Sequence, residues 1–388
     1  MASGKKKNVV TAYLNKVKIK KQDNLQQLLT KTYGAEGAKN LARAFEAIRI
    51  KKETDGVDER YDFIHSDFDF SMLMTAFQDG DIIKNTLNWL NSIRGNIGKT
   101  VLDAGCGSGI ITCFLASILP ESTFLAVDRS ANAIAIAKQI RLNLGLENIV
   151  FMEGDAASLA DKQFDTVLAL RILDETTTAE DCRFQSFTQQ LESRTRQYRT
   201  QAELLGKLTA PDGHLIILDM DKEDVSSLAL LDLLRDSGLT MTDFRMLSAR
   251  EGDMKEEDLY TAITLQKTKT PEARTDLLAR WSSLYFHGIG NDGYRDAEAD
   301  YMLELCASGA RTGYVSHHPA TNAKTGEFFI CGYKGREDLF LLYQKNLSFC
   351  RLGVFPIAQK AEAEALLAAD RQRDEEARFV TLDLKTEA

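Results

Sequence analysis

Val101-Leu102-Asp103-Ala104-Gly105-Cys106-Gly107-Ser108-Gly109 is the stretch that decides the fold. A short apolar run ends in an acid. Glycines then fall on alternate positions, and a helical pattern opens at Ile110. This reads as strand, side-chain-free turn and helix. Such a turn lets a ligand approach the backbone closely, and N–H groups at the helix start can face a carboxylate or phosphate. A dinucleotide fingerprint would put its third glycine at position 110, where this chain has Ile110. Here the third glycine is Gly109, and Asp103 precedes the first by two residues.

Outward from the loop, short apolar runs alternate with helical stretches. The runs are Thr100–Ala104, Thr123–Val127, Ile149–Glu153, Phe164–Leu170, His214–Asp219, Thr242–Leu247 and Leu259–Gln266. Helices are expected between the first six. That rhythm predicts parallel strands joined by right-handed crossovers. No helix separates the last two runs, so an antiparallel hairpin is expected at one edge. Asp128 ends the second run, where a carboxylate can accept two hydrogen bonds from a ribose diol. Gly154-Asp155-Ala156 ends the third, where a short acid can take the exocyclic amine of adenine. Asp155 has a second reading, as cap of the short helix that follows. Gly109 likewise has one, as a strand–helix packing residue. Ligands of open parallel sheets bind at these strand ends, where strand order reverses.

The ordered set resembles the class I, Rossmann-like, seven-stranded S-adenosylmethionine-dependent methyltransferases. It comprises DxGxGxG at Asp103–Gly109, the acid at Asp128, GDA at 154–156 and the strand at Phe164–Leu170. Leu205 to His214, leading into Ile216-Ile217-Leu218, resembles the turn and fifth strand of that family. The resemblance implies an α/β fold with S-adenosyl-L-methionine as cofactor. By position, it implies that Asp103, Gly105, Cys106 and Gly107 surround the amino acid end of the cofactor. Asp128 would hold the ribose, with Arg129 beside it. Asp155 and Ala156 would flank adenine, and Leu170 and Arg171 would line the floor near the sulfonium.

The resemblance covers neither end of the chain. Residues 1–97 read as a helical cap, with helical spacing over Asn24–Ile50, interrupted at Gly34–Gly37, and again over Ser71–Leu90. Residues 98–268 are the methyltransferase domain that the resemblance implies. Residues 269–388 read as a small α+β domain, with helices at Pro271–Leu284 and Asp296–Ser308, three strand-like pieces and a final helix over Ala358–Ala377.

Methyl transfer from a sulfonium is an in-line displacement, so the protein must mainly align the acceptor and exclude water. A phenol or amine acceptor also needs a base. Asp174 and Glu175, just after the fourth strand, are candidates, with a solvated helix start as the competing reading. Tyr61 and His65 are candidates from a lid over the cofactor. The chain lacks the (D/N)PP(Y/F) signature of enzymes that methylate base or glutamine amino groups. The expected acceptor is a small molecule. A protein side chain comes second, and a non-catalytic cofactor-binding protein is the competing class.

Composition narrows the rest. The 388 residues are 44% hydrophobic and 27% charged, which excludes a wholly disordered or fibrous chain. A net charge of −9 disfavours non-specific contact with phosphate backbones, so no nucleic-acid partner is expected. No apolar run approaches the ~18 residues of a membrane span. The start, MASGKKKNVV, is basic without the apolar stretch of a secretory signal. Cys106, Cys113, Cys182, Cys306, Cys331 and Cys350 show no ligand spacing. They read as reduced thiols, with a cytoplasmic location and no metal site expected. A homo-oligomer is compatible with the sequence.

Overall fold

The computed structural model describes residues 8–20, 24–55, 59–173, 187–220, 226–248, 259–274, 276–277, 280–281, 306–307, 311–334, 336–346 and 350–386. The chain divides into two compact units. One comprises Met1–Thr176, Leu204–Asp221 and Arg245–Lys269; the other comprises Thr177–Glu203, Lys222–Phe244 and Thr270–Ala388.

Strands β1 (Thr100–Ala104), β2 (Thr123–Asp128), β3 (Ile149–Glu153), β4 (Phe164–Leu170), β5 (Thr209–Met220), β6 (Leu239–Ser248) and β7 (Leu259–Lys267) form a seven-stranded sheet. Their order is β3-β2-β1-β4-β5-β7-β6. The pairs β1–β2, β2–β3, β1–β4 and β4–β5 are parallel, while β5–β7 is antiparallel. The chain runs outward from β1 to β3 and then returns to place β4 on β1's other side. Strand order therefore reverses between β1 and β4, the position where open α/β sheets hold ligands.

Helix α6 (Ile110–Ile118) follows β1, and α7 (Ala131–Leu144) follows β2. Helix α7 has both end signals. Ser130 Oγ accepts from the Ala133 N–H, and Gly145 closes the helix in the left-handed region at φ 65°. The crossover helices bury Phe114, Leu115, Ile134 and Ile140 against Val101, Phe124 and Ile149 in one core.

The N-terminal layer contains α1 (Val9–Lys16), α2 (Leu25–Asp55), α3 (Arg60–Ile64), α4 (Phe68–Gln78) and α5 (Gly80–Ser92). Helix α2 kinks at Gly34, the break its sequence announces. The helical spacing over Ser71–Leu90 is divided at Asp79 into α4 and α5. The basic first segment covers a neighbour. Val10, Tyr13, Leu14, Val17 and Ile19 join the sheet's core. The buried Tyr13 hydroxyl donates to the Ile110 carbonyl at 2.5 Å, so α1 is fastened to the start of α6. No helix among the described residues is long and apolar enough to cross a membrane.

The second unit carries an antiparallel sheet of β8 (Arg311–His317), β9 (Lys324–Tyr333), β10 (Arg336–Asn346), β11 (Cys350–Pro356) and β12 (Val380–Thr386), in the order β11-β10-β9-β8-β12. Helix α8 (Lys360–Glu376) lays Ala363 and Leu367 on Tyr314, Phe328, Ile330, Phe340, Leu342 and Phe355. β11 and β12 go beyond the three strand-like pieces of the sequence reading. The expected helices over 271–284 and 296–308 lie largely outside the described residues. The reduced-thiol expectation is corrected at one pair: Cys306 and Cys331 are disulfide-bonded. A bridge between Cys306 and Tyr333 brings the two cysteines together, and their 25-residue separation carried no sequence signal.

Candidate active site

The turn after β1 is built from glycines that need left-handed backbone. Gly105, Gly107 and Gly109 have φ of 82°, 53° and 71°, where side chains are strained. The space around them differs. A Cβ on Gly105 would lie 2.3 Å from Ile172 Cγ2, and one on Gly107 would lie 2.8 Å from the Tyr61 hydroxyl. A Cβ on Gly109 would meet Ala137 at 2.7 Å and the Phe151 ring at 2.8 Å. Gly109 thus serves packing among α6, α7 and β3, whereas Gly105 and Gly107 face the segments that close over the turn. Backbone N–H groups of Gly105 and Cys106 both reach the Val127 carbonyl, at 2.8 and 2.9 Å. The Cys106 thiol is pushed well up by burial, with the nearby Asp103 and Asp128 charges adding to it.

Asp103 is buried beneath this turn. Thr112 Oγ1 donates to its Oδ2 at 2.5 Å, while Oδ1 has no hydrogen-bond partner. Burial pushes its carboxyl up to about 7; the Thr112 bond opposes the rise and the Asp128 charge adds to it. The unfolded chain releases this proton near the ordinary aspartate value of 3.8. The folded state therefore holds the proton longer, and stability from this group is lost as pH rises from about 4 to about 7. Asp103→Asn is expected to remove roughly 3–4 kcal/mol of that fall between pH 4 and pH 8. Urea unfolding at the two pH values measures it, and parallel profiles for both proteins would contradict it.

Asp128 is braced on both oxygens. Oδ2 accepts the Gly107 N–H at 2.8 Å, and Oδ1 accepts the Ser130 N–H at 2.9 Å. Arg129 beside it is exposed. Asp155 is exposed, and its Oδ1 accepts the Ala157 N–H at 2.8 Å, so it caps the short 3-10 turn as the second reading anticipated. Ala156 opens that turn. Open space lies where a Cβ on Gly154 would stand.

Helix α3 lies against the glycine turn. Ser130 Oγ donates to Asp62 Oδ1 at 2.5 Å, and Asn132 Nδ2 donates to the Asp62 carbonyl at 3.1 Å. These bonds tie α3 to the start of α7 and place the Tyr61 hydroxyl over Gly107. His65 follows α3 and is buried. Its ring meets Tyr61 edge-on at 4.6 Å between centroids, and its Nδ1 lies 2.8 Å from Ser71 Oγ. Burial lowers the His65 pKa, while the Asp128, Asp62 and Asp79 charges oppose that.

The end of β4 completes the surround. Leu170 is buried. Arg171 takes φ 62°, one of few non-glycine residues among those described to do so. Its N–H donates to the Leu218 carbonyl at 2.6 Å. Its guanidinium lies 3.0 Å from Asp79 Oδ1 and 5.7 Å from the centroid of the Tyr260 ring. Asp174 and Glu175 lie outside the described residues. The sequence reading missed Asp62, Ser71, Asp79 and Tyr260. Asp62 stood inside the lid segment already singled out, and Asp79 divided one helical run; Ser71 and Tyr260 had no local signal.

These parts meet the needs of an adenosyl sulfonium. Gly105 and Gly107 add no side chains of their own to the bend, Asp103 presents an unfilled buried acceptor, and Gly154 leaves room beside the strand end. Comparisons with known proteins agree in kind. A family model described as "Methyltransferase domain" matches residues 96–278. A second, described as protein-L-isoaspartate(D-aspartate) O-methyltransferase, matches residues 21–162. Ribosomal RNA small subunit methyltransferase G of Chlorobaculum tepidum is 40% identical over 75 residues, 19% of this chain and 35% of that protein. Ubiquinone biosynthesis O-methyltransferase of Pseudomonas fluorescens is 33% identical over 97 residues, 24% of this chain and 40% of that protein. A solved structure of magnesium protoporphyrin IX methyltransferase from Synechocystis PCC 6803 is 20% identical, with TM-score 0.40, covering 57% of this chain and 96% of that one. The matched part spans 35–40% of the length of the two curated relatives. Residues 96–278 carry a methyltransferase domain of the class I, S-adenosylmethionine-dependent kind.

Proposed function

We propose that the protein transfers a methyl group from S-adenosyl-L-methionine to a small-molecule acceptor held beneath α3. The observation that carries this reading is the seat of α3. Asp62 fastens it to Ser130, and the Tyr61 hydroxyl comes within 2.8 Å of a Cβ built on Gly107. A turn roofed this closely by the chain's own helix suits a compact acceptor. When bound, the cofactor supplies an activated methyl on its sulfonium.

The chain's residues divide the remaining work. Asp103, Gly105, Cys106 and Gly107 hold the amino acid end, and Asp128 with Arg129 holds the ribose. Asp155 and Ala156 flank adenine, and Leu170 with Arg171 forms the floor. His65 receives the proton that the acceptor gives up as its bond to the methyl carbon forms and the sulfur–carbon bond breaks. Its lowered pKa keeps the ring neutral near pH 7, the state a general base requires. Ser71 holds Nδ1 and so fixes the ring's orientation. Tyr61 packs against the ring and closes the site to water.

A second reading, an RNA acceptor, is favoured by one feature. Lys16, Lys18 and Lys20 stand exposed on the segment that Tyr13 fastens to the start of α6. One experiment separates the two. Wild-type protein is incubated with isotopically labelled methyl donor, a metabolite extract and bulk RNA, and the fractions are then counted. Label in the small-molecule fraction supports the proposal; label in RNA alone overturns it. With the labelled product identified, His65→Gln is expected to lower kcat at pH 7 by about 10²-fold or more while cofactor affinity stays within about threefold. An unchanged kcat would remove His65 from its role as base.

A further inference from the structure

Asp79 stands at the corner between α4 and α5, at the position before α5 where an aspartate ordinarily caps the helix with its side chain. It makes no such cap. Its backbone N–H bonds the Thr75 carbonyl at 2.9 Å, and its carboxylate turns to the Arg171 guanidinium at 3.0 Å. Arg171 holds a left-handed backbone at the end of β4, a conformation that persists in non-glycine residues only where the surroundings enforce it. The face of Tyr260 flanks its guanidinium. Both charged side chains are half-buried, at 38% exposure for Arg171 and 28% for Asp79. The pair belongs to the space around the glycine turn, because Ile172, the residue after Arg171, stands 2.3 Å from where a Cβ on Gly105 would lie.

We propose, on the strength of the function given above, that Asp79 is a positioning residue of the methyl-transfer site. Its carboxylate fixes the Arg171 guanidinium at the end of β4, and the pair together balances the charge next to the sulfonium. A lone arginine there would repel a sulfonium. A lone aspartate would hold one too firmly relative to the neutral product left after transfer. A neutral pair lets the charged donor bind and the uncharged product leave.

S-adenosylmethionine and S-adenosylhomocysteine differ by one methyl and one positive charge, so the ratio of their affinities reads this charge balance. The experiment is calorimetric titration of both ligands into wild type, Asp79→Asn, Arg171→Met and the double variant. Asp79→Asn is expected to shift the ratio about threefold to tenfold against S-adenosylmethionine, by leaving the cation unbalanced. Arg171→Met is expected to shift it by a similar factor the other way, and the double variant to return near wild type. Damage that is merely structural would weaken both ligands together and leave the ratio unmoved; that result, or shifts of the same sign in both variants, overturns the inference. Where Asp79→Asn fails to fold, Arg171→Met alone carries the test, and a ratio that stays put contradicts it. If wild type binds neither ligand, the proposed function fails and this inference falls with it. Binding by wild type with unmoved ratios overturns the role of Asp79 alone.

Discussion

Asp128→Ala is expected to weaken the affinity for S-adenosylhomocysteine at least tenfold. The carboxylate already makes two hydrogen bonds. One oxygen accepts the Gly107 N–H and the other the Ser130 N–H. An ionised carboxylate has about four acceptor sites, so two remain for a ribose diol. Hydrogen bonds to a charged group contribute roughly 1.5–3 kcal/mol each, and one such bond corresponds to about tenfold or more in affinity. The substitution also frees Gly107 and Ser130 from their common anchor, which loosens the turn the ligand must meet. Asp128→Asn keeps one acceptor oxygen and should fall between wild type and alanine. Calorimetric titration decides, and an alanine variant with wild-type affinity would contradict the assignment.

Gly109→Val is expected to cost about 3 kcal/mol or more of stability. Two penalties combine. A non-glycine residue at φ 71° is strained by roughly 1–3 kcal/mol. Its Cβ would also stand 2.7 Å from Ala137 Cβ and 2.8 Å from the Phe151 ring, and overpacking of a filled core costs typically about 1–3 kcal/mol. Gly145→Ala is the control. Gly145 has φ 65° but open space where its Cβ would stand, so only strain remains and a loss of about 1 kcal/mol is expected. Urea denaturation measures both. Equal losses would show that packing around Gly109 contributes nothing.

The parallel part of the fold was legible because its signals are local. The runs at 100–104, 149–153 and 164–170 coincide with β1, β3 and β4, and the helical stretch Ala131–Leu144 coincides with α7. Each is a short apolar segment between turn residues, and the glycine turn and Asp128 mark the ends of β1 and β2. The antiparallel second sheet was less legible. β11 begins Cys350-Arg351 and contains Gly353, and β12 mixes Thr381, Asp383 and Lys385 into its alternation. Strands stabilised by neighbours distant in sequence need no strong pattern of their own. The disulfide is hidden for the same reason, since a long separation says nothing of proximity.

In the site, residue types near the motif could be named, but not their partners. Tyr61 and His65 were visible as a lid segment. That Ser71 would hold the His65 ring, or that Asp62 would reach Ser130, depends on how α3 and α4 pack, which no local spacing encodes. Asp79 looked like an interruption in a helical run. Its meaning comes only from Arg171, ninety-two positions further along.

The most direct test of the whole account is the melting temperature of the wild-type protein with and without saturating S-adenosylhomocysteine. Ligand at about a hundred times its dissociation constant contributes roughly 2.7 kcal/mol. For a unit of this size that corresponds to a rise of about 5–10 °C. Such a rise, lost in Asp128→Ala at the same ligand concentration, is the predicted result. A melting curve that does not move would contradict it.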